Sequence, residues 1–597
     1  MKGLLKYLKD YKLECVLAPL FKMLEASFEL IIPLVVAKII NVGIAKGDTH
    51  YIIKMCLVMI LLGLVGFASA VTAQYFAAKA ATGFAGKLRH DLFSHILSMS
   101  FSSQDKAGAS TLITRMTSDI NQTQNGVNMF LRLFLRSPFI VLGAVIMGLY
   151  VGGKDAVVFV YALPVLSIVV FAIVFINIPM YKRVQKALDN VTLLVRENLT
   201  GVRVLRAFHK EDEEVKRFTQ KNHEHASSAL FAGRISALLN PLTYVIVNIS
   251  LILLLDQGAL AVYNGVLNQG DVVALVNYMS QILIELVKLA NLIVTLTKAF
   301  ACASRISEVL AIPAEVKNDT VTGVSAKDDR DDTDKLKGSS ADSDSGNDEA
   351  CHIRFENVSF RYEGLSDDVL SDISFNVKRG EKVGIIGSTG SGKSSLISLV
   401  PGFYDAGKGR ILIDGRDVKE YEKEELRHKI GFVPQKTSLF KGTIKSNVLF
   451  GNEDASEQAL KEALYVSVSD EIVSGREENV DAEVEQGGRN FSGGQKQRLT
   501  IARALVRRPE ILILDDSSSA LDYATDAKLR KRISELDYDP TVLMVTQRTV
   551  GIVDADKIIV LDDGNICGIG RHEQLLKTCS VYREIYESGN KEASDER

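Results

Sequence analysis

No Cys-x-x-Cys pair and no grouping of Cys with His occurs in the 597 residues; Cys15, Cys56, Cys302, Cys351, Cys567 and Cys579 are scattered. That spacing excludes a structural zinc site and a disulfide framework. An excess of one charge is also lacking. Seventy Lys+Arg face 73 Asp+Glu, a formal balance of −3, which leaves no electrostatic footprint for nucleic acid. Residues 1–12 carry four lysines and no apolar h-region, so they are expected to form an interfacial lead-in helix and not a cleaved signal peptide. Long apolar runs are missing from the second half, which has the charge density of an ordinary soluble protein. They lie almost entirely between residues 13 and 310, so the 47% hydrophobic content averages two unlike halves.

Four charge-free stretches, 55–78, 137–153, 156–181 and 235–255, run for 24, 17, 26 and 21 residues. A helix needs about 20 apolar residues to cross a bilayer core. Two weaker segments complete the set. Residues 30–45 are broken only by Lys38 but follow Lys22, Glu25 and Glu29, while 272–284 are followed by Glu285 and Lys288 before 289–297. Six spans are expected, at about 15–44, 52–80, 128–151, 156–180, 232–263 and 270–300. Lys and Arg number 21 in the connections on one side and two, Lys46 and Lys154, on the other. That asymmetry puts both termini on the cytoplasmic side of the cell membrane. The inner connections keep helical spacing, as in Leu188, Val191, Val195, Leu199 and Val202, so the spans are expected to continue into the cytosol as helices. Glu285 and Lys288 are expensive in lipid; they either line a cavity, pair with each other or lie low enough to be wet. Arg132 and Arg136 are expected to mark the cytosolic boundary of span three.

Residues 314–350 hold eleven acidic and five basic side chains and no aromatic ring, a composition that cannot offset its ordering entropy by burial. Beyond them, 382–386 read as a buried strand, followed by Gly387-Ser388-Thr389-Gly390-Ser391-Gly392-Lys393-Ser394 and an apolar helix expected from Ser395. This strand–loop–helix pattern is a phosphate-binding loop. Its glycines let backbone N–H groups turn onto phosphates, Lys393 reaches the β/γ-phosphates, and Ser394 can ligate Mg2+. Further on, Ile511-Leu512-Ile513-Leu514-Asp515 is an apolar strand ending in a carboxylate suited to Mg2+ or its water shell.

Between these two motifs lies Phe491-Ser492-Gly493-Gly494-Gln495. Here the sequence resembles the exporter-type ATP-binding cassette (ABC) transporters, whose signature is Leu-Ser-Gly-Gly-Gln, with Phe491 in place of Leu. The resemblance runs from about residue 10 to 588, the linker apart. It implies a six-helix membrane domain fused to an α/β P-loop cassette, with ATP held between the phosphate loop of one cassette and Ser492, Gly493, Gly494 and Gln495 of another. It further implies that Tyr362 stacks on adenine and that Ser395 belongs to the nucleotide contacts. Gln435 would sense Mg2+ and the attacking water, and Asp522 lies in the D-loop. Ser394, Gln435 and Asp515 would hold Mg2+. Residues 99–119 and 197–208 resemble the family's coupling-helix regions. The expected organisation is an interfacial helix at 1–12, a membrane domain at 13–312, a linker at 313–350, a cassette at 351–588 and a tail at 589–597.

Two departures from the family pattern matter most, beside that of Glu485-Gln486-Gly487-Gly488 before the signature. Asp516 stands where Glu normally polarises the attacking water, and Gln547 replaces the switch His. Loss of one methylene withdraws the carboxylate by roughly 1.5 Å, and about 1 Å of misplacement can cost 10²-fold. An amide hydrogen-bonds but carries no proton or positive charge. The resemblance therefore implies one subunit of a heterodimeric, multidrug-type exporter. This chain's Walker residues would form a degenerate ATP site, and its signature would complete the partner's catalytic one. The partners expected are a second half-transporter, membrane lipid and a small or amphipathic transported compound. A lipid or lipopolysaccharide flippase and an ATP-gated channel or regulatory ATPase are the alternatives.

Overall fold

The computed structural model describes residues 3–314 and 351–595; beyond Ala314, the linker expected at 313–350 lies outside the described residues. The chain divides into two compact units. One comprises Met1–Ser98 and Ala107–Pro313, the other Met99–Lys106 and Ala314–Arg597.

The first unit is helical. Among the described residues, six helices are long and apolar enough to cross a membrane: Leu4–Ile44, Thr49–Leu97, Ala109–Gly152, Val157–Thr200, Glu211–Tyr263 and Gln269–Leu310. Each contains one of the expected spans and most run well beyond it, because the amphipathic flanks continue the apolar helices. Only short breaks interrupt them. Gly201 separates Thr200 from a short helix at Val202–Ala207. The 99–119 stretch is not one piece: a short helix, Phe101–Ala107, precedes Gly108, whose φ of +74° starts the third long helix.

Polar side chains tie this unit together. Arg136, at the start of the apolar stretch of the third long helix, is a buried centre joining three helices, its side chain only 7% exposed. Its guanidinium donates to Glu285 Oε1 at 2.8 Å and to Glu29 Oε2 at 2.8 Å. Ser137 Oγ donates to the second oxygen of Glu285 at 3.0 Å, and Lys288 Nζ lies 2.7 Å from the first. Of the three sequence-based alternatives for Glu285 and Lys288, pairing holds, with Arg136 as the stronger partner. A carboxylate this buried is tolerable only because both oxygens are satisfied. Nearer the opposite ends of the same helices, Asn41 accepts from the Gly270 amide at 2.7 Å and donates to Asp271 at 3.0 Å. A Cβ at Gly270 would run into the Ala37 carbonyl, so this close approach requires glycine.

The cassette unit has twelve strands among the described residues: β1 (Cys351–Phe360), β2 (Leu370–Lys378), β3 (Lys382–Gly387), β4 (Lys408–Ile413), β5 (Arg416–Asp417), β6 (Ile430–Val433), β7 (Gly442–Thr443), β8 (Glu483–Val484), β9 (Ile511–Asp515), β10 (Thr541–Val545), β11 (Lys557–Asp562) and β12 (Asn565–Gly570). One sheet is antiparallel, in the order β2-β1-β4-β5. The main sheet runs β12-β11-β3-β10-β9-β6, parallel except for β12. Strand β9 explains its own composition: Ile511 and Ile513 face one core, while Leu512 and Leu514 face another. A strand covered on both faces has no polar side, hence the unbroken apolar run.

Replacing Arg136 by Met leaves Glu285 and Glu29 without their shared cation. The expected cost is about 3–5 kcal/mol of unfolding free energy, with partial recovery when E285Q is added. Denaturant titration of the chain in lipid nanodiscs measures both; an unshifted midpoint for R136M would show that the cluster does not hold the helices.

Candidate functional site

Four neighbouring parallel strands, β3, β10, β9 and β6, end side by side, and each end carries residues singled out from the sequence. Gly387 closes β3, Asp515 closes β9, Gln547 follows β10 by two residues and Gln435 follows β6 by two. Ligands of open α/β sheets collect beyond the carboxyl ends of the strands, which is where this row lies.

The loop after β3 is shaped by close approach. A Cβ on Gly387 would strike the Leu561 carbonyl, and Gly392 sits at φ +92° against Leu370 and Val369. The helix starts at Lys393, two residues earlier than the expected Ser395, because the left-handed Gly392 completes the turn and the next residue is already helical. Lys393 is buried and folds back over its own loop, donating to the Gly387 and Ser388 carbonyls at 2.8 and 2.6 Å. Burial lowers its pKa from the usual lysine value, against the opposing pull of Asp516 and Asp515. Ser391 is buried beside it, while Ser388, Thr389 and Gly390 form the exposed rim.

Ser394 Oγ donates to Asp515 Oδ1 at 2.9 Å, so a hydroxyl and a carboxylate converge on one point. Such hard oxygen donors fit Mg2+. Gln435 Nε2 donates to Asp516 Oδ2 at 3.3 Å. Burial raises the pKa of both Asp515 and Asp516 above the ordinary carboxylate value. Asp516 occupies the left-handed region at φ +46°, held there by its N–H to the Val545 carbonyl at 3.0 Å and by Ser519 Oγ on its own carbonyl at 2.8 Å. Gln547 is exposed at the same edge. Tyr362 stands beside the loop helix, its hydroxyl 3.0 Å from Ser395 Oγ.

Ser492, Gly493, Gly494, Gln495 and Asp522 belong to a different surface of the cassette. Ser492 and Gln495 cap each other: Ser492 Oγ accepts from the Gln495 amide at 3.3 Å, and Gln495 Oε1 from the Ser492 amide at 3.0 Å. They begin the helix Gly493–Leu505. A Cβ on Gly494 would lie 2.9 Å from the Ala520 carbonyl, so signature and D-loop are in contact. Asp522 caps the next helix, accepting from the Thr525 amide at 2.9 Å. None of these residues hydrogen-bonds to the phosphate loop among the described residues.

The opposite edge of the sheet holds a group that sequence spacing did not reveal. His352, Asp414 and Glu510 bring potential ligand atoms within 4.8 Å of one another. Both carboxylates are already engaged by Arg379, at 2.6 and 3.2 Å, and by Lys429, at 3.2 Å each, so the group is an internally neutral lattice. His352 Nδ1 bonds Thr541 Oγ1 at 2.7 Å. No two of these residues are close in sequence, which is why no motif marks them.

A bundle of apolar helices joined to a P-loop cassette defines a membrane transporter ATPase. The ABC transporter transmembrane region matches residues 15–286, and the ABC transporter cassette matches 370–519. An uncharacterised ABC transporter ATP-binding protein of Mycobacterium tuberculosis (strain CDC 1551 / Oshkosh) is 35% identical over 593 residues, covering 97% of this chain and 96% of its own. YfiB of Bacillus subtilis (strain 168), likewise an uncharacterised ABC transporter ATP-binding protein, is 36% identical over 588 residues, 98% of each chain. A bacterial Atm1-family ABC exporter with ATP bound shares the fold, with a TM-score of 0.75 at 23% identity over 96% of this chain and 97% of that one. The chain therefore belongs to the ABC transporter family, as an exporter-type half-transporter that drives export with ATP.

Two outcomes are expected. Lys393→Ala weakens ATP binding by at least about tenfold, since a buried ammonium at the phosphates is lost; equilibrium titration with a fluorescent ATP analogue checks this. The second concerns pH. Burial lowers the pKa of His352 below the ordinary 6.5, so the unfolded chain takes up a proton that the folded chain refuses. Stability is full above 6.5 and falls as pH drops through it. Thermal unfolding from about pH 7.5 to about pH 5.5 should show a shallower decline for H352Q than for the natural chain.

Proposed function

We propose that this chain is one subunit of a heterodimeric exporter of a small or amphipathic compound, with its own Walker residues forming the slower of two composite ATP sites. The observation that carries this reading is that Asp516 and Gln547 stand at adjacent strand ends, a placement from which both would face the same phosphoryl group. Gly387, Gly390, Gly392 and the residues between them wrap the triphosphate, with Lys393 exchanging its loop carbonyls for phosphate oxygens. Tyr362 and Ser395 hold the base side. Ser394, Asp515 and Gln435 hold Mg2+, which neutralises charge on the phosphates. Asp516 is too short to set the attacking water as Glu does, and Gln547 gives a neutral hydrogen bond where a His would add a charge.

Ser492, Gly493, Gly494 and Gln495, with Asp522 beside them, complete the partner's site, which supplies a full-length Glu and a His. The mutual cap of Ser492 and Gln495 supports this division: the segment is already an ordered helix start. The 21-to-two distribution of Lys and Arg supports an orientation with both termini and the cassette in the cytoplasm.

Purified alone, the chain should hydrolyse ATP slowly and D516E/Q547H should accelerate it about 10²-fold. Addition of a partner chain carrying the usual Glu and His should raise turnover without either substitution. Vigorous Mg-ATP turnover by the unmodified single chain would sink the asymmetric reading.

A further inference from the structure

His352, on β1, is 1% exposed, yet its Nε2 has no hydrogen-bond partner. The ring is held by its other nitrogen, which lies 2.7 Å from Thr541 Oγ1. Thr541 Oγ1 accepts from the Gly380 amide at 3.0 Å and has the Lys378 carbonyl at 3.4 Å to donate to. Its remaining lone pair then takes the Nδ1 proton, and Nε2 presents a bare lone pair. That lone pair faces two carboxylates, Asp414 Oδ1 at 3.7 Å, in the turn between β4 and β5, and Glu510 Oε2 at 3.9 Å, just before β9. Burial holds the imidazole neutral near neutral pH, so no proton fills the gap between these three acceptors.

The oxygens that face His352 are those gripped by Arg379, whose side chain is 59% exposed and free to return to water. Lys429 holds the outer pair instead, at 3.2 Å from Asp414 Oδ2 and 3.2 Å from Glu510 Oε1. An ion bound inside therefore has to displace only Arg379. Ligand atoms around a tetrahedral ion at about 2.1 Å stand about 3.4 Å apart, so small rotations of the two carboxylates close the set. We propose that His352 Nε2, Asp414 and Glu510 bind a divalent transition ion of the Zn2+ class, which takes the place of Arg379 and clasps β1 and the β4–β5 turn to the start of β9. Thr541 orients the imidazole and Lys429 the carboxylates, the outer partners that such ligands usually have. One nitrogen with two oxygens favours Zn2+ over Mg2+ or Ca2+, which prefer oxygen alone. The cysteine spacing excludes only a cysteine-built zinc centre, and this site uses no cysteine.

The full chain in lipid nanodiscs, stripped with EDTA and titrated with Zn2+ in excess Mg2+, tests this by calorimetry and thermal unfolding. Zn2+ should raise the unfolding midpoint, and EDTA should reverse the rise. His352→Gln and Glu510→Gln should each weaken Zn2+ binding at least about tenfold. Arg379→Gln should bind it roughly threefold more tightly, because the competing cation is gone. The last two variants alter exposed side chains, so they decide the matter even if H352Q does not fold. Unchanged Zn2+ affinity in a folded H352Q or in E510Q, weaker binding in R379Q, or displacement of Zn2+ by Mg2+ would each overturn the assignment.

Discussion

A parallel strand that stops leaves its last backbone groups aimed past the sheet, and the adjacency of four such ends is the constraint on which the rest of the cassette depends. At about 4.8 Å between strands, β3, β10, β9 and β6 present a row roughly 14 Å long. Residues 387, 547, 515 and 435 are far apart in sequence and become neighbours only because the strand order is 3-10-9-6. Each loop can then carry its own set of side chains without altering the core. The apolar faces beneath hold the row rigid, since β9 packs both of its faces into separate cores.

Buried charge is handled by the same physics in both units, with different consequences. In the helical unit, Arg136 collects carboxylates from two other helices and so specifies how three spans meet. In the cassette, His352, Asp414, Glu510, Arg379 and Lys429 gather at the sheet edge away from the phosphate loop and neutralise each other. The first cluster substitutes for the weak hydrophobic discrimination between helix and lipid. The second ties together loops at the amino ends of the central strands.

The six-helix membrane half and the α/β cassette were legible because their signals are local. Charge-free runs mark spans, and an apolar run bracketed by glycine or aspartate marks a covered strand. The phosphate loop was legible for the same reason, down to Lys393, although the helix start was placed two residues late because the left-handed turn at Gly392 leaves no compositional trace. The pairing of Arg136 was not legible, because a lone cation near an apolar run reads the same whether it snorkels to water or meets Glu285, which lies 149 positions away. His352 belongs to no spacing pattern, and only the folded chain brings its partners to it.

The left-handed backbone at residue 516 has a consequence of its own. Short polar side chains tolerate that conformation better than longer ones, and Asp is among the few non-glycine residues found there often. The shortened acid therefore suits its own turn, while the longer one typical of the family sits less comfortably in the same shape. At this one position, local comfort at a single φ angle and the reach of the carboxylate pull in opposite directions.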